Sequence, residues 1–494
     1  MKKNFFRFGY FLVVLAIFFF GCRHDSIPRL TNTTVEEYSE PPLEDDGYYA
    51  QAEVELKQRL IDIARVGEWQ TSETAIKKAL TEFFNTEIKK RVNASNTLNL
   101  TIKKEYTVPV QPINNPNRPK SIKECNSFEF IVYSMDAGPF KGHAITSTDK
   151  RIGNILALVE SEYQEDISGC EFALDFQDGL SVYIQHVANL WNSITDEDLM
   201  SPATAQVRTP PIYVSDPTYK FHDWVKHDGN DKYILKTKWD QNPEPFNSCI
   251  VSMLEEDDIP AGCTTVQVAQ ILIFHRYSKY TTSPYLAKIK RKWVDAKDWD
   301  GKYDWDILAK DETPSTNSRD AVQLQVGAFL YDIAKGCSAW FSKEGTGVLN
   351  INRNFYLWKC GYTCKSRSGY SFNKIKESID AGYPVPITGT AKEYNGNMPK
   401  YVGHSFIVDG YFKMSCVAKK DGAEDIPITA DFVHCNVGWG GRQDGYYLSG
   451  IFAMDRGALL EDYYENWNVE GSAIKKKYFS LFLRQINMLR PKGR

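Results

Sequence analysis

A cysteine at the start of an apolar helix pattern, a histidine inside a strand pattern and an asparagine at the head of a glycine-rich turn follow one another along this 494-residue chain. They are Cys263, His404 and Asn436, and long stretches of sequence separate them. Only a fold that carries distant segments to one place gives such residues common work. Their order therefore constrains the architecture more than any other feature.

From Cys263 to Tyr277 there is no Gly or Pro, and Val266, Ala269, Ile273 and Phe274 recur at helical spacing. This predicts a buried helix with Cys263 in its first turn. Unpaired amides and the positive dipole end at such a position favour thiolate over a thiol whose ordinary pKa is near ~8.5. Gly262 lets a substrate backbone come close. His404 lies in a strand pattern, with Phe406 and Val408 alternating with Ser405 and Ile407 before Asp409-Gly410. Asn436 ends a strand-like run from Asp431 to Val437, and Gly438-Trp439-Gly440-Gly441 then turns the chain. A Cys and a His brought together supply nucleophile and general base, an Asn amide can orient the imidazole, and Trp439 can shield that bond from water. This is the Cys…His…Asn order of a papain-type thiol peptidase.

These segments resemble the streptopain family of bacterial cysteine peptidases, in the papain clan. Typical members carry a Gly-Cys-Val-Ala-Thr-Ala-Xaa-Ala-Gln helix, a Gly-His-Ala-Phe-Val-Xaa-Asp-Gly-Tyr strand and an Asn-Trp-Gly-Trp-Gly-Gly turn. The chain departs from that pattern at Thr264-Thr265-Val266-Gln267-Val268, at Ser405 where Ala is usual, and at Val437 where the first Trp stands. Thr237-Lys238-Trp239-Asp240-Gln241 is similar to the family's Thr-Lys-Trp-Xaa-Gln, and Pro245-Phe246-Asn247 to its Pro-Tyr-Asn. The resemblance implies that Gln241 is the oxyanion-hole side chain, partnered by the Cys263 amide. Further upstream, Ser127 to Val132 and Ala144 to Ile152 look like the family's pro-segment, a domain that blocks the cleft. The Gly345-Thr346-Gly347 loop is one the family places near that cleft. Together these features imply an α+β, papain-like two-subdomain cysteine peptidase with an N-terminal α+β pro-domain. Its partners are protein or peptide substrates, with the pro-segment as intramolecular inhibitor. Broad endopeptidase specificity with a hydrophobic residue two positions before the cut is likewise implied.

Lys2, Lys3 and Arg7 precede an apolar stretch from Phe8 to Phe20, in the ~7–15 residue range of a signal h-region, and Gly21-Cys22 reads as a lipobox. The expected divisions are a lipoprotein signal peptide over 1–21, a tether over 22–46 and a pro-segment over 47–195. A Pro- and Ser-marked linker over 196–217 and a catalytic domain over 218–494 follow. Export follows, to the outer membrane or periplasm as a lipoprotein or into the medium, with membrane contact only through a lipid on Cys22. A net charge of −4 gives no basic footprint, so nucleic acid is not an expected partner. No cofactor or metal is called for. His222 and His227, beside Asp223 and Asp228, match no recognised zinc spacing. His143, His275 and His434 read as structural. Eight cysteines remain besides Cys22 and Cys263; their connectivity stays open, although Cys360 and Cys364 are close enough to pair on a turn. Two other classes share parts of this chemistry: a catalytically silent protein of the fold that binds or inhibits a peptidase, and a transglutaminase-like amidase, whose usual third residue is Asp rather than Asn.

Overall fold

Among the described residues, helix α1 (Tyr48–Val66) and helix α2 (Glu73–Phe83) are the first two helices. Ser72 starts the second helix, its side chain accepting from the Ala75 N–H at 3.2 Å, and Glu73 complements the helix dipole. Ile76, Ala79, Leu80 and Phe83 form the buried stripe of α2. The computed structural model describes residues 43–44, 47–66, 69–89, 97–111, 115–165, 171–200, 219–220, 234–242, 244–292, 299–309, 321–343, 345–395, 398–418, 426–453 and 483–493. The expected signal peptide, Cys22, His222, His227 and the linker from residue 201 lie outside them.

Four antiparallel strands follow: β1 (Asn99–Pro109), β2 (Ser127–Ala137), β3 (Phe140–Thr146) and β4 (Ile155–Val159). Phe128, Phe130 and Val132 of β2 alternate inward, as a strand with one face on a core requires. Every residue of β4 is buried. Helix α3 (Glu171–Asn192) covers this sheet, with Tyr183, Ile184, Val187 and Trp191 in the same core.

Downstream, α4 (Ser248–Leu254), α5 (Cys263–His275), α6 (Ala321–Gly336) and α7 (Asn350–Lys359) share a second core built on Trp239, Phe246, Val266, Leu272, Leu324 and Phe329. Helix α5 is apolar nearly all round and buried from Cys263 to Ile273, as its sequence predicts. Helix α8 (Phe372–Asp380) leads into long antiparallel strands β5 (Val385–Asn395), β6 (Met398–Ala418) and β7 (Ile426–Asn436), then β8 (Gly445–Leu448). A further strand, β9 (Arg484–Asn487), pairs with β5. Pairing sets Thr388 opposite Ser405, Gly389 opposite His404 and Ile407 opposite Asn436. Helices on one side and an antiparallel sheet on the other give the papain-like α+β architecture.

Strand β8 also pairs antiparallel with β4, Tyr446 opposite Leu158 and Tyr447 opposite Ala157. One twelve-stranded sheet therefore runs through residues 99–159 and through the strands that carry His404 and Asn436. Gly345–Gly347 is not the loop expected from sequence: it pairs with Trp340–Ser342 in a small hairpin. Among the described residues no helix is long and apolar enough to cross a membrane.

Candidate active site

The first turn of α5 has no side-chain cap, because Gly262 is its N-cap. Gly262 sits at φ 91°, and a Cβ there would meet the Thr346 carbonyl at 2.8 Å and the Thr346 Cβ at 2.9 Å. Both backbone strain and lack of room demand glycine. Thr346 is itself fixed, its hydroxyl donating to the Pro260 carbonyl at 2.6 Å. Cys263 is 9% exposed, the most of any buried residue in its helix.

Gln241 reaches this point through its backbone, whose carbonyl accepts from the Ala261 N–H at 2.9 Å. Asp240 shapes the approach: its Oδ1 accepts from the Gln241 and Asn242 amides at 2.7 and 3.2 Å, and Arg442 pairs with Oδ2 at 3.1 Å. Burial raises the Asp240 carboxyl, and Arg442 and the two amides counter it. The Gln241 side chain is buried, yet its Nε2 has no hydrogen-bond partner. A buried donor without a partner is costly, and this one is free to meet an acceptor that arrives from outside.

His404 is buried in β6, and its Nε2 meets the Val437 carbonyl at 3.0 Å. A carbonyl only accepts, so Nε2 carries the hydrogen and Nδ1 is the nitrogen able to take a proton. The role expected of Asn436 needs correction. Its Oδ1 accepts from Gln270 Nε2 at 2.9 Å, and its Nδ2 donates to the Thr237 carbonyl at 2.8 Å. The Thr237 hydroxyl donates to Gln270 Oε1 at 2.9 Å, closing a ring among α5, β7 and the Gln241 segment. Both of these amide bonds lead away from the imidazole, and the acceptor that His404 Nε2 meets is the backbone carbonyl one residue on. Val437 is held from its other side too, its N–H donating to Asp444 Oδ1 at 2.9 Å. Trp439 lies two residues beyond, half-buried, with the Arg442 guanidinium 5.5 Å from its ring. Sequence reading missed Val437, Asp240 and Arg442. A backbone acceptor has no sequence signature, and the two charges show only as a pair.

The residues that follow Cys263 and His404 meet each other: the hydroxyls of Thr264 and Ser405 hydrogen-bond at 2.8 Å. The other described cysteines are free thiols, Cys360 and Cys364 included, while Cys22, Cys170 and the Cys416 side chain lie outside the described set. Burial pushes the thiols of Cys125, Cys360 and Cys364 up to about 11 and those of Cys249, Cys337 and Cys435 further up. None of these six offers a ready nucleophile. His143 Nδ1 donates to the Ser161 carbonyl, 2.7 Å away, and burial lowers its pKa.

His434 sits behind the site on β7. Its Nδ1 is 2.6 Å from Asp409, its Nε2 3.6 Å from Glu160, and the Tyr446 ring packs against it. Burial alone would lower its pKa, but Asp409 and Glu160 outweigh burial and raise it to about 9. The folded state then holds a proton that the unfolded chain, with an ordinary value near ~6.5, releases earlier. This stabilisation is fully present below about pH 6.5 and is lost as pH rises through about 9. Melting temperature should fall across that window more steeply in the wild type than in His434→Gln; equal slopes would contradict the charged state of His434.

The Peptidase C10 family model matches residues 239–447. Streptopain of Streptococcus pyogenes is 22% identical over 343 residues, covering 66% of this chain and 74% of streptopain. Streptopain of S. pyogenes serotype M28 (strain MGAS6180) is 23% identical over 351 residues, at the same coverages. Among solved structures, a fragment of Prevotella intermedia prointerpain A aligns with a TM-score of 0.44 at 15% identity, covering 79% of this chain and all of the fragment. Over residues 239–447 the sequence is thus similar to C10 cysteine peptidases, and at low identity to streptopain.

Proposed function

We propose that this streptopain-like chain is an exported cysteine endopeptidase made as a zymogen, which hydrolyses peptide bonds through Cys263 and His404. The observation that carries the reading is the orphaned Gln241 amide, buried beside the uncapped start of the nucleophile helix. A substrate carbonyl supplies the acceptor it lacks. His404 Nδ1 takes the Cys263 proton, and the thiolate attacks the carbonyl carbon. The developing oxyanion accepts from Gln241 Nε2 and the Cys263 N–H. As the intermediate collapses, the imidazolium gives its proton to the leaving amine. Water, deprotonated by His404, then releases the acyl group from sulfur. Export through residues 1–21, with a lipid on Cys22, is part of the same proposal.

The shared sheet supports the zymogen reading. Strand β4 joins β8, and Glu160 just beyond it faces His434 and donates its N–H to the Asp444 carbonyl at 2.8 Å. A pro-segment held by a strand pairing stays in place until the connection is cut. The Pro- and Ser-rich stretch between them can enter a protease cleft without unfolding a core. Purified precursor should start nearly inactive and convert to a fragment beginning between about Asp196 and Thr218, with activity rising in step. Mass spectrometry follows the conversion, and Cys263→Ala precursor should stay full length unless wild-type enzyme is added. A full-length chain already fully active would overturn the zymogen reading and leave residues 47–195 as a permanent accessory domain.

A further inference from the structure

We propose that Arg353 is a positioning residue for the Cys263–His404 pair, acting through a chain of buried hydroxyls that ends beside the nucleophile. The proposal rests on the peptidase reading above. Arg353, on α7, is 1% exposed. Its guanidinium donates to the Thr388 hydroxyl of β5 and, at 3.1 Å, to Gln267 Oε1 of α5. Thr388 Oγ1 lies 3.1 Å from Ser405 Oγ, and Ser405 Oγ lies 2.8 Å from Thr264 Oγ1.

A guanidinium only donates, so Thr388 Oγ1 is the acceptor of that bond. The Thr388 hydrogen is left available for Ser405, and the hydroxyls of Thr388, Ser405 and Thr264 form one connected chain. Aligned hydroxyls polarise one another in a buried setting. Gln267 completes the clamp, its Nε2 donating to the Ile387 and Phe406 carbonyls at 2.8 and 2.6 Å. The network thus grips α5 at Thr264 and Gln267, flanking the first turn after Cys263. It grips β6 at Ser405 and Phe406, the two residues that follow His404.

Holding a helix to a sheet does not require this. Apolar contacts do it without burying a charge and several hydroxyls, and are often the more stable choice. The streptopain pattern has Val, Ala and Ala where this chain has Thr264, Gln267 and Ser405. All three replacements are polar, and all three belong to the one network under Arg353. What hydrogen bonds add over apolar packing is a fixed angle and distance between the two elements that carry nucleophile and base.

The test is a double-mutant cycle on the mature enzyme with Thr264→Val, Ser405→Ala and the pair. Three quantities are read: kcat and KM on a peptide substrate, the rate of Cys263 alkylation by iodoacetamide against pH, and melting temperature. Each single change should lower kcat about 10- to 100-fold at unchanged KM, the scale of a small misplacement of reacting groups. Each should also displace the pH profile of alkylation, and the double variant should be no worse than the more damaging single. Arg353→Lys, which keeps the charge but not the fork, should retain more kcat than Arg353→Met. Lower melting temperatures with kcat and the alkylation profile unchanged in every variant would make the network a structural strap and overturn the proposal. A wild type that alkylates at Cys263 but hydrolyses nothing would sink the peptidase reading, while the alkylation profiles would still decide the role of Arg353.

Discussion

Cys263→Ala should abolish casein hydrolysis and leave the fold intact. The side chain sits in the first turn of α5 and belongs to neither hydrophobic core cluster, so losing one sulfur atom opens no cavity in either core. No other described cysteine can take over. Cys249, Cys337 and Cys435 are fully enclosed, and burial has moved the six remaining thiols away from ionisation. Cys249→Ala and Cys435→Ala should therefore alter stability and not the chemistry. Hydrolysis is followed by peptide release and the fold by thermal melting. A Cys263→Ala protein that keeps most of its activity would end the mechanism proposed here.

Gln241→Ala lowers kcat by about 10²–10³, the usual cost of removing one oxyanion donor, with little change in KM. The ground-state carbonyl needs this donor less than the oxyanion does, which is why the effect falls on kcat. The variant also removes a buried amide that has no partner in the free protein, so it should not melt earlier. Loss of a merely structural glutamine would do the reverse, lowering stability and sparing turnover. An effect confined to KM would make Gln241 a cleft wall only.

Much of this was legible because side-chain identity and spacing report on local structure. The helix at Cys263 announced itself through an unbroken apolar run, and the strand at His404 through alternation. Register was not legible. That Thr388 faces Ser405 and that Ile407 faces Asn436 is decided by the packing of strands from different parts of the chain. The same limit explains Asn436. Its residue type suits an imidazole partner, but which acceptor reaches His404 depends on where Thr237 and Gln270 stand, and these claim the amide first. Arg353 was invisible for a related reason. On an amphipathic helix with Asn350, Asn352 and Lys359 an arginine reads as a solvated surface residue, and only the fold turns it inward. The Gly345–Gly347 hairpin likewise gave no alternation to detect, since two of its three residues have no side chain.

The most direct measurement of the central claim is peptide mapping of the mature enzyme after titration with an epoxide thiol-peptidase probe, with residual activity recorded at each step. One label on Cys263, with activity falling in proportion to its occupancy, is the predicted result. Full labelling of Cys263 with hydrolysis undiminished, or activity lost through a label on any other residue, would contradict it.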